Sequence, residues 1–180
     1  TRYEPLRIID ESREALEQMK SGKTGVVLGS DSNTSEWRRR GWFTLDIEPS
    51  HGADYVCDAN RLSERIPPNS MDYVCAEFIS MDPKGTEGVS PSRLLQQARH
   101  ILKPGGKLII KTAHFENAPE TTLPDRRIYL KKMGNHGFHA VAELHQIFQV
   151  DNEATNQTVV YYGEKIAEGY DGSRVKTQIH

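Results

Sequence analysis

GVVLGSDSN, residues 25–33, consists of four mostly apolar residues followed by a glycine and four small polar residues. A short apolar run that breaks at a glycine is typical of a buried strand in a parallel sheet, followed by the loop that leads into a helix. On either side of this stretch, apolar runs alternate with helical patterns. The alternation predicts an α/β protein in which right-handed crossovers connect parallel strands.

The surrounding elements are predicted from hydrophobic period and from cap and turn residues. We expect a helix over residues 10–20 with Asp10 as its N-cap, and a short helix over 34–40 whose capping box pairs Asn33 with Glu36. Further elements are expected as strands at 42–47, 53–57, 71–79 and 107–112, helices at 92–102 and 125–133, and a mobile loop at 80–91. The β-rich runs 138–150 and 158–166 predict a closing antiparallel hairpin. The expected fold is therefore a doubly wound, mostly parallel sheet with an antiparallel C-terminal hairpin and helices on both faces.

Length and composition favour one domain over residues 1–180, with an N-terminal helical segment (1–22) and a flexible tail (168–180). The net charge is -2 at pH 7, so no overall field attracts nucleic acid or an anionic membrane. No apolar run approaches the roughly 20 residues of a membrane span, and no signal-peptide core is present. Cys57 and Cys75 lie in apolar runs, which indicates reduced core cysteines and a cytoplasmic location.

Three strand ends carry the residues that we expect to bind a ligand. Gly29 follows the first strand, Asp46 ends the second and Asp58 follows the third. A glycine in the first turn lets backbone amides approach a ligand, and an acid at the tip of the next strand can accept hydrogen bonds from ribose hydroxyls. An acid after the third strand can accept from an adenine amino group, while the first loop lacks the G-x-G-x-x-G that cradles a pyrophosphate. These positions predict an adenosine ligand without a pyrophosphate.

Five segments resemble the small class I (Rossmann-like) S-adenosylmethionine-dependent methyltransferases: residues 27–33 (VLGSDSN), 41–46 (GWFTLD), 53–58 (ADYVCD), 69–74 (NSMDYV) and 95–108 (LQQARHILKPGGKL). The resemblance implies a seven-stranded sheet with strand seven inserted antiparallel, and S-adenosylmethionine as cofactor. It places the methionine part of the cofactor over Gly29, the ribose on Asp46 and the adenine beside Asp58. The cofactor-binding residues are expected to be Gly29, Ser30, Asp31, Asn33, Asp46, Ile47, Asp58, Ala59 and Glu77.

The chain departs from the family pattern at two places. Asp31 replaces the second glycine of the first loop, so either the loop bends differently or the Asp31 carboxylate faces the positive end of the cofactor. Ser80 and Met81 stand where related proteins often carry a Glu-His pair after the fourth strand. His114, and after it Glu77, are the candidate catalytic bases if the acceptor must lose a proton.

The predicted function is methyl transfer to an unidentified acceptor, with a small molecule, a sugar or a peptide-derived group favoured. One alternative is an inactive binding or scaffold module that kept the fold, motivated by Asp31. Another is an RNA methyltransferase that contacts phosphates through Arg38, Arg39 and Arg40 beside Trp37, although such a run is more often the solvated face of a short helix. A partner protein or a second copy of the chain could complete the acceptor pocket.

Several candidate residues also have purely structural interpretations. Asp58 could cap its turn through the residue two positions on, Asp31 could be an ordinary loop acid, and His114 could be a solvent-exposed loop histidine. The histidines at 136, 139 and 145 come with no cysteine or paired acid, so no metal site is predicted.

Overall fold

The computed structural model describes residues 12–82, 84–115, 126–150 and 154–167, without the side chains of 113–115, 144–150 and 154–158. Within these residues, the strands are β1 (Gly25–Leu28), β2 (Phe43–Asp46), β3 (Tyr55–Val56), β4 (Met71–Glu77), β5 (Leu102–Phe115), β6 (Phe138–Val150) and β7 (Ala154–Lys165). The α-helices are α1 (Arg13–Lys20), α2 (Thr34–Arg39), α3 (Pro91–Ile101) and α4 (Arg126–Asn135). Short 3-10 helices cover Asp31–Asn33, Pro49–His51 and Ala59–Glu64.

All seven strands form one sheet in the order β3-β2-β1-β4-β5-β7-β6. The pairs from β3 to β5 are parallel, whereas β7 lies between β5 and β6 and is antiparallel to both. The predicted seven-stranded fold with strand seven inserted antiparallel is therefore confirmed. The strand order reverses between β1 and β4, and ligands of such sheets bind beyond the carboxyl ends of the strands at that reversal.

Each face of the sheet has its own hydrophobic core. Val26 and Leu28 of β1 pack with residues of α3 and α4, while Val27 points to the other face, where Leu16 of α1 and Trp37 of α2 are buried. This alternation follows from the two-residue period of a strand, and burial on both faces explains why β1 is apolar throughout. Helices therefore cover both faces, and the strand ends are left for polar chemistry.

The first helix begins later than the sequence predicted. The N-cap of α1 is Ser12, whose Oγ accepts a hydrogen bond from the Ala15 amide at 3.2 Å, so the predicted cap at Asp10 is wrong. Asp10 itself lies outside the described residues. The helix ends as predicted at Ser21, with Gly22 at a φ of 76°.

The predicted capping box of α2 is also wrong. Asn33 makes no side-chain cap hydrogen bond. The Glu36 carboxylate instead binds Arg13 of α1 and, four residues on, Arg40, because charged donors compete for a carboxylate more strongly than one backbone amide.

All strands except β1 and β6 differ in length from the prediction, and β3 and β5 show why. The edge strand β3 keeps two residues, since it pairs only with β2. β5 begins earlier, because Leu102 pairs with Met71 before the Lys-Pro-Gly-Gly turn and the register shifts across that turn.

The predicted tail at 168–180 lies outside the described residues. Among the described helices, none combines the length and apolar character of a membrane span.

Candidate functional site

The carboxyl ends of β1, β2 and β3 open into a cleft of about 360 Å³, here called the strand-tip cleft. It is lined by Gly29, Leu45, Asp46, Ile47, Cys57, Asp58, Ala59, Ile79, Ser80, Gly85, Thr86, Glu87, Gly88 and Val89. Gly29, Asp46 and Asp58 thus lie together, and Ile47 and Ala59 lie with them. The volume is in the range of sites that hold small ligands, about 300–1,000 Å³.

Gly29 is required by both conformation and space. Its backbone is left-handed, with a φ of 65°, and its amide donates to the Leu45 carbonyl at 2.8 Å. A Cβ at this position would lie 2.5 Å from the Cγ2 atom of Ile79. No residue other than glycine meets both conditions without strain, so the first loop presents backbone to the strand-tip cleft.

The Asp46 carboxylate at the tip of β2 is held by three donors. The Asp31 amide donates to Oδ2 at 2.7 Å, the Glu48 amide donates to Oδ1 at 2.9 Å, and His51 Nδ1 lies 3.0 Å from Oδ1. Burial opposes ionisation of Asp46, but these hydrogen bonds outweigh it and lower the pKa of the carboxyl below its ordinary value. Asp46 is therefore a charged acceptor at neutral pH.

His51 is a site residue that the sequence reasoning missed. Its Nε2 lies 3.2 Å from Asp31 Oδ1, so the imidazole bridges the carboxylates of Asp31 and Asp46. The hydrogen bond with Asp46 raises the pKa of His51. The exposed Asp31 side chain lies outside the lining of the strand-tip cleft, and its carboxylate faces His51.

Asp58 lies at the other end of the strand-tip cleft, with Asn60 behind it as its hydrogen-bond partner. Asp58 caps the 3-10 helix Ala59–Glu64, with Oδ1 accepting from the Asn60 amide at 2.9 Å and from Asn60 Nδ2 at 3.0 Å. The structural interpretation of Asp58 is thus correct for Oδ1. Oδ2 makes no hydrogen bond to any described residue, and Asp58 lines the cleft, so this oxygen is available to a ligand donor.

Comparison with known proteins finds similar structures but no similar sequences. The sequence matches no protein-family model and no curated protein sequence. The structure is similar to a putative methyltransferase of Haloferax volcanii solved in complex with the Trm112 methyltransferase activator, with a TM-score of 0.61, 18% identity, and coverage of 88% of this chain and 90% of that one. The chain has the class I methyltransferase fold.

Two further solved structures share this methyltransferase fold. An S-adenosylmethionine-dependent methyltransferase of Methanosarcina mazei gives a TM-score of 0.60 at 13% identity, covering 89% of this chain and all of that one. Phosphoethanolamine N-methyltransferase 2 of Haemonchus contortus, in complex with S-adenosyl-L-methionine, gives 0.55 at 14% identity over 83% of this chain. This chain spans half the length of the Haemonchus protein.

Glu77 does not have the environment of a catalytic base. Its carboxylate accepts hydrogen bonds from Arg13 and, at 2.8 Å, from Lys111 Nζ, and its side chain is 11% exposed. Burial raises the pKa of Glu77, but the two cations outweigh that effect and the pKa lies below its ordinary value. A carboxylate that is ionised and doubly ion-paired is a poor proton acceptor, so this environment disfavours Glu77 as a base, and that role stays a prediction. Glu77 is also absent from the lining of the strand-tip cleft.

Other predicted residues of the first loop lie outside the strand-tip cleft. Ser30 is buried, with its Oγ 2.7 Å from Thr34 Oγ1, and Asn33 Oδ1 accepts from Arg13 at 3.4 Å. His114 is in β5, but its side chain lies outside the described part of the chain, so its role as a base stays a prediction.

The run from Trp37 to Arg40 does not form an exposed basic-aromatic surface. Trp37 is 1% exposed and meets Trp42 edge-on. Arg40 is ion-paired with three glutamates of α1 and α2, and Arg38 Nη2 lies 3.6 Å from Asp54 Oδ1. Among the described residues, exposed Arg39 is the one arginine of this run without an ion pair, so the run presents little free positive charge and no exposed ring to RNA.

Neither a metal cluster nor a disulfide is found in the part of the chain that the structure describes. His139 is buried in β6, and burial lowers the pKa of both His139 and His136. Cys57 lines the strand-tip cleft, while Cys75 is buried in β4, where burial raises its pKa to about 12.

Proposed function

We propose that the protein binds S-adenosylmethionine in the strand-tip cleft and transfers its methyl group to an acceptor. The observation that carries the proposal is that Gly29, Asp46 and Asp58 line one cleft at the strand reversal of a class I methyltransferase fold. S-adenosylmethionine, when bound, supplies a methyl group that a positive sulfur makes electrophilic. In the transfer, an acceptor lone pair forms the new bond to the methyl carbon, and sulfur keeps the electron pair of the broken bond.

The lining residues fit the parts of this cofactor. Asp58 Oδ2 is an unpartnered acceptor suited to the adenine amino group, and the exposed Ile47 offers an apolar surface for the ring. Asp46 is a charged acceptor suited to ribose hydroxyls. The bare backbone at Gly29 leaves room for the chain between ribose and sulfur. The protein's contribution to the reaction is then positioning, which accounts for much of the rate when the donor is already reactive.

We assign the acceptor to the class of small molecules, sugars or peptide-derived groups. The methyltransferases of similar structure act on diverse acceptors, as their names state for phosphoethanolamine and for arsenic(III). An RNA acceptor is disfavoured by the ion pairs of Arg38 and Arg40. His114 stays the proposed base for acceptors that must lose a proton.

A protein partner is part of the proposal. The Haloferax volcanii methyltransferase was solved with an activator protein, and in this chain the edge strand β3 leaves Val56 and the neighbouring Phe43 exposed. Unpaired strand edges with apolar side chains are ready sites for strand addition. Sedimentation velocity tests self-association and binding of a Trm112-type activator protein. A protein that stays a monomer, and whose sedimentation does not change when the activator is added, would count against both a second copy and an activator as partner.

Isothermal titration calorimetry with S-adenosylmethionine and S-adenosylhomocysteine tests the cofactor site. The wild-type protein should bind both ligands, and Asp46→Asn should weaken binding by about 1–3 kcal/mol through weaker ribose hydrogen bonds. Asp54→Asn is the matched control, because Asp54 accepts from the Thr44 amide and hydroxyl at the other end of β2 and does not line the cleft. No binding at millimolar ligand, or equal losses in the two variants, would contradict the proposal.

Release of S-adenosylhomocysteine separates catalysis from binding alone. Purified protein incubated with S-adenosylmethionine and pools of small-molecule, sugar and peptide acceptors should release the demethylated product above its own background. Tight cofactor binding with no release from any pool, including RNA, would favour the inactive binding module.

A further inference from the structure

We propose that Asn60 is a positioning residue that gives the strand-tip cleft its selectivity for the 6-amino group of adenine, by fixing the orientation of the Asp58 carboxylate. This inference rests on the proposed function, because it concerns the adenosine end of the same cleft. Asn60 was absent from the residues predicted to bind the cofactor, and its own side chain does not line the cleft.

The side chain of Asn60 is almost fully buried and makes hydrogen bonds in three directions. Its Nδ2 donates to Asp58 Oδ1 at 3.0 Å and to the Gly88 carbonyl at 3.0 Å, with a longer contact to the Gly85 carbonyl at 3.4 Å. Its Oδ1 accepts from the Ser90 amide at 2.9 Å. The amide therefore has its donors and acceptor in use, and its orientation is determined by the fold.

This arrangement fixes how the Asp58 carboxylate faces the cleft. Both hydrogen bonds of the Asp58 carboxylate to described residues are accepted by Oδ1, from the backbone and side chain of Asn60. Oδ2 is left as an acceptor with no donor among the described residues. A 6-amino purine can donate to this oxygen, whereas a 6-oxo purine brings an acceptor against a carboxylate, which leaves both groups unsatisfied.

Asn60 also holds the wall that faces Asp58. Gly85, Gly88 and Val89 line the strand-tip cleft, and Asn60 binds the first two through their carbonyls. One side chain thus sets the distance between the carboxylate and the opposite wall. The Asn60 amide therefore couples the width of this end of the strand-tip cleft to the direction of the Asp58 carboxylate.

The test is the ratio of dissociation constants for S-inosylhomocysteine and S-adenosylhomocysteine, which differ in the 6-oxo and 6-amino groups and in the proton that the 6-oxo base carries on N1. The wild-type protein should prefer the adenosine compound by tenfold or more. Asn60→Ala should reduce this preference about fivefold or more, since the Asp58 carboxylate then keeps only its backbone donor. Asp58→Asn should reverse or abolish the preference, because its amide can donate to a 6-oxo group.

Ser90→Ala is the matched control for stability. Ser90 Oγ caps α3 by accepting from the Arg93 amide, while its backbone amide still binds Asn60. This variant should lower the melting temperature and leave the ligand ratio unchanged. A folded Asn60→Ala protein with the wild-type ratio would overturn the role of Asn60, as would a wild-type protein that binds both ligands equally. Failure of the wild-type protein to bind either ligand would instead sink the proposed function.

Discussion

Asp31 shows how one residue can depart from a family pattern and keep its geometry. Its φ is 47°, in the left-handed region that glycine usually occupies and that aspartate tolerates better than most residues. In this conformation its amide donates to Asp46, and its carboxylate reaches His51. Asp31 therefore adopts the backbone conformation typical of glycine, keeps its amide on Asp46 and adds a carboxylate beside His51.

The affinity for S-adenosylhomocysteine should rise with pH in a way that depends on His51. Oδ1 of Asp46 already faces the Glu48 amide and the His51 imidazole, whereas Oδ2 accepts only from the Asp31 amide. One ribose hydroxyl can use the remaining site on Oδ2, and a second, bound at Oδ1, must displace the imidazole. The pKa of His51 is raised, so its stabilising charge is complete below the ordinary value of about 6.5 and is lost as the pH rises through the higher folded value. Displacement is therefore hardest at low pH.

Calorimetric titrations from about pH 6 to pH 9 measure this dependence. His51→Gln should flatten the part of the profile that the imidazole contributes, while ionisation of the ligand itself affects both proteins alike. Parallel profiles for the two proteins would show that His51 stays in place when the ligand binds.

At the scale of elements, the sequence pattern predicted the strands and pairings that depend on neighbouring residues. The limits of β1 are as expected, and so is the antiparallel pairing of the last two strands, because apolar runs that end in turn residues mark both. The cap at Ser12 is local, three residues from Ala15, but the early start of β5 and the bonds of Asn60 depend on residues far along the chain. The strand-tip acids could be predicted from their spacing, whereas the partners that orient them could not.

The loop between β4 and α3, expected to be mobile, is organised by one carboxylate. Asp82 accepts from the amides of Lys84, Thr86 and Glu87 and from the Thr86 hydroxyl, and these bonds lower its pKa to about 2. The ends of the loop are joined by a bridge between Met81 and Val89. Because Asp82 is ionised at any pH above about 4, this support is constant under assay conditions.

Asp82→Ala should loosen the wall of the strand-tip cleft without touching the strand tips. We expect faster amide hydrogen exchange in residues 84–89 and severalfold weaker binding of S-adenosylhomocysteine, since the wall must then be ordered on binding. Glu64→Ala is the control, because in the described part of the chain this exposed side chain pairs with Arg61 alone. Unchanged exchange in that segment would mean that the loop is held chiefly through Asn60.

At the scale of the whole molecule, one ion-pair cluster connects the helical layer to the sheet. Arg13 of α1 binds Glu36 of α2 and Glu77 of β4, and Glu77 binds Lys111 of β5. The Arg13 guanidinium also lies 5.1 Å from the centre of the Trp37 ring. The cluster explains why an acid at the end of β4 need not be catalytic: it neutralises two cations that the fold has partly buried.

Glu77→Gln distinguishes this structural role from the role of a base. Loss of the carboxylate leaves Lys111, 7% exposed, without its counter-charge, so we expect the free energy of unfolding to fall by about 2–4 kcal/mol. Affinity for S-adenosylhomocysteine should stay within about twofold, because Glu77 lies outside the strand-tip cleft. Glu64→Gln, on an exposed pair, should cost less than about 1 kcal/mol in urea denaturation.

The contribution of Glu77 to folding stability should depend on pH. Its pKa is lowered, so the contribution is present above the ordinary value of about 4.3 and is lost as the pH falls through the folded value. A Glu77→Gln protein of wild-type stability that releases no S-adenosylhomocysteine would show the opposite, that Glu77 acts on the acceptor.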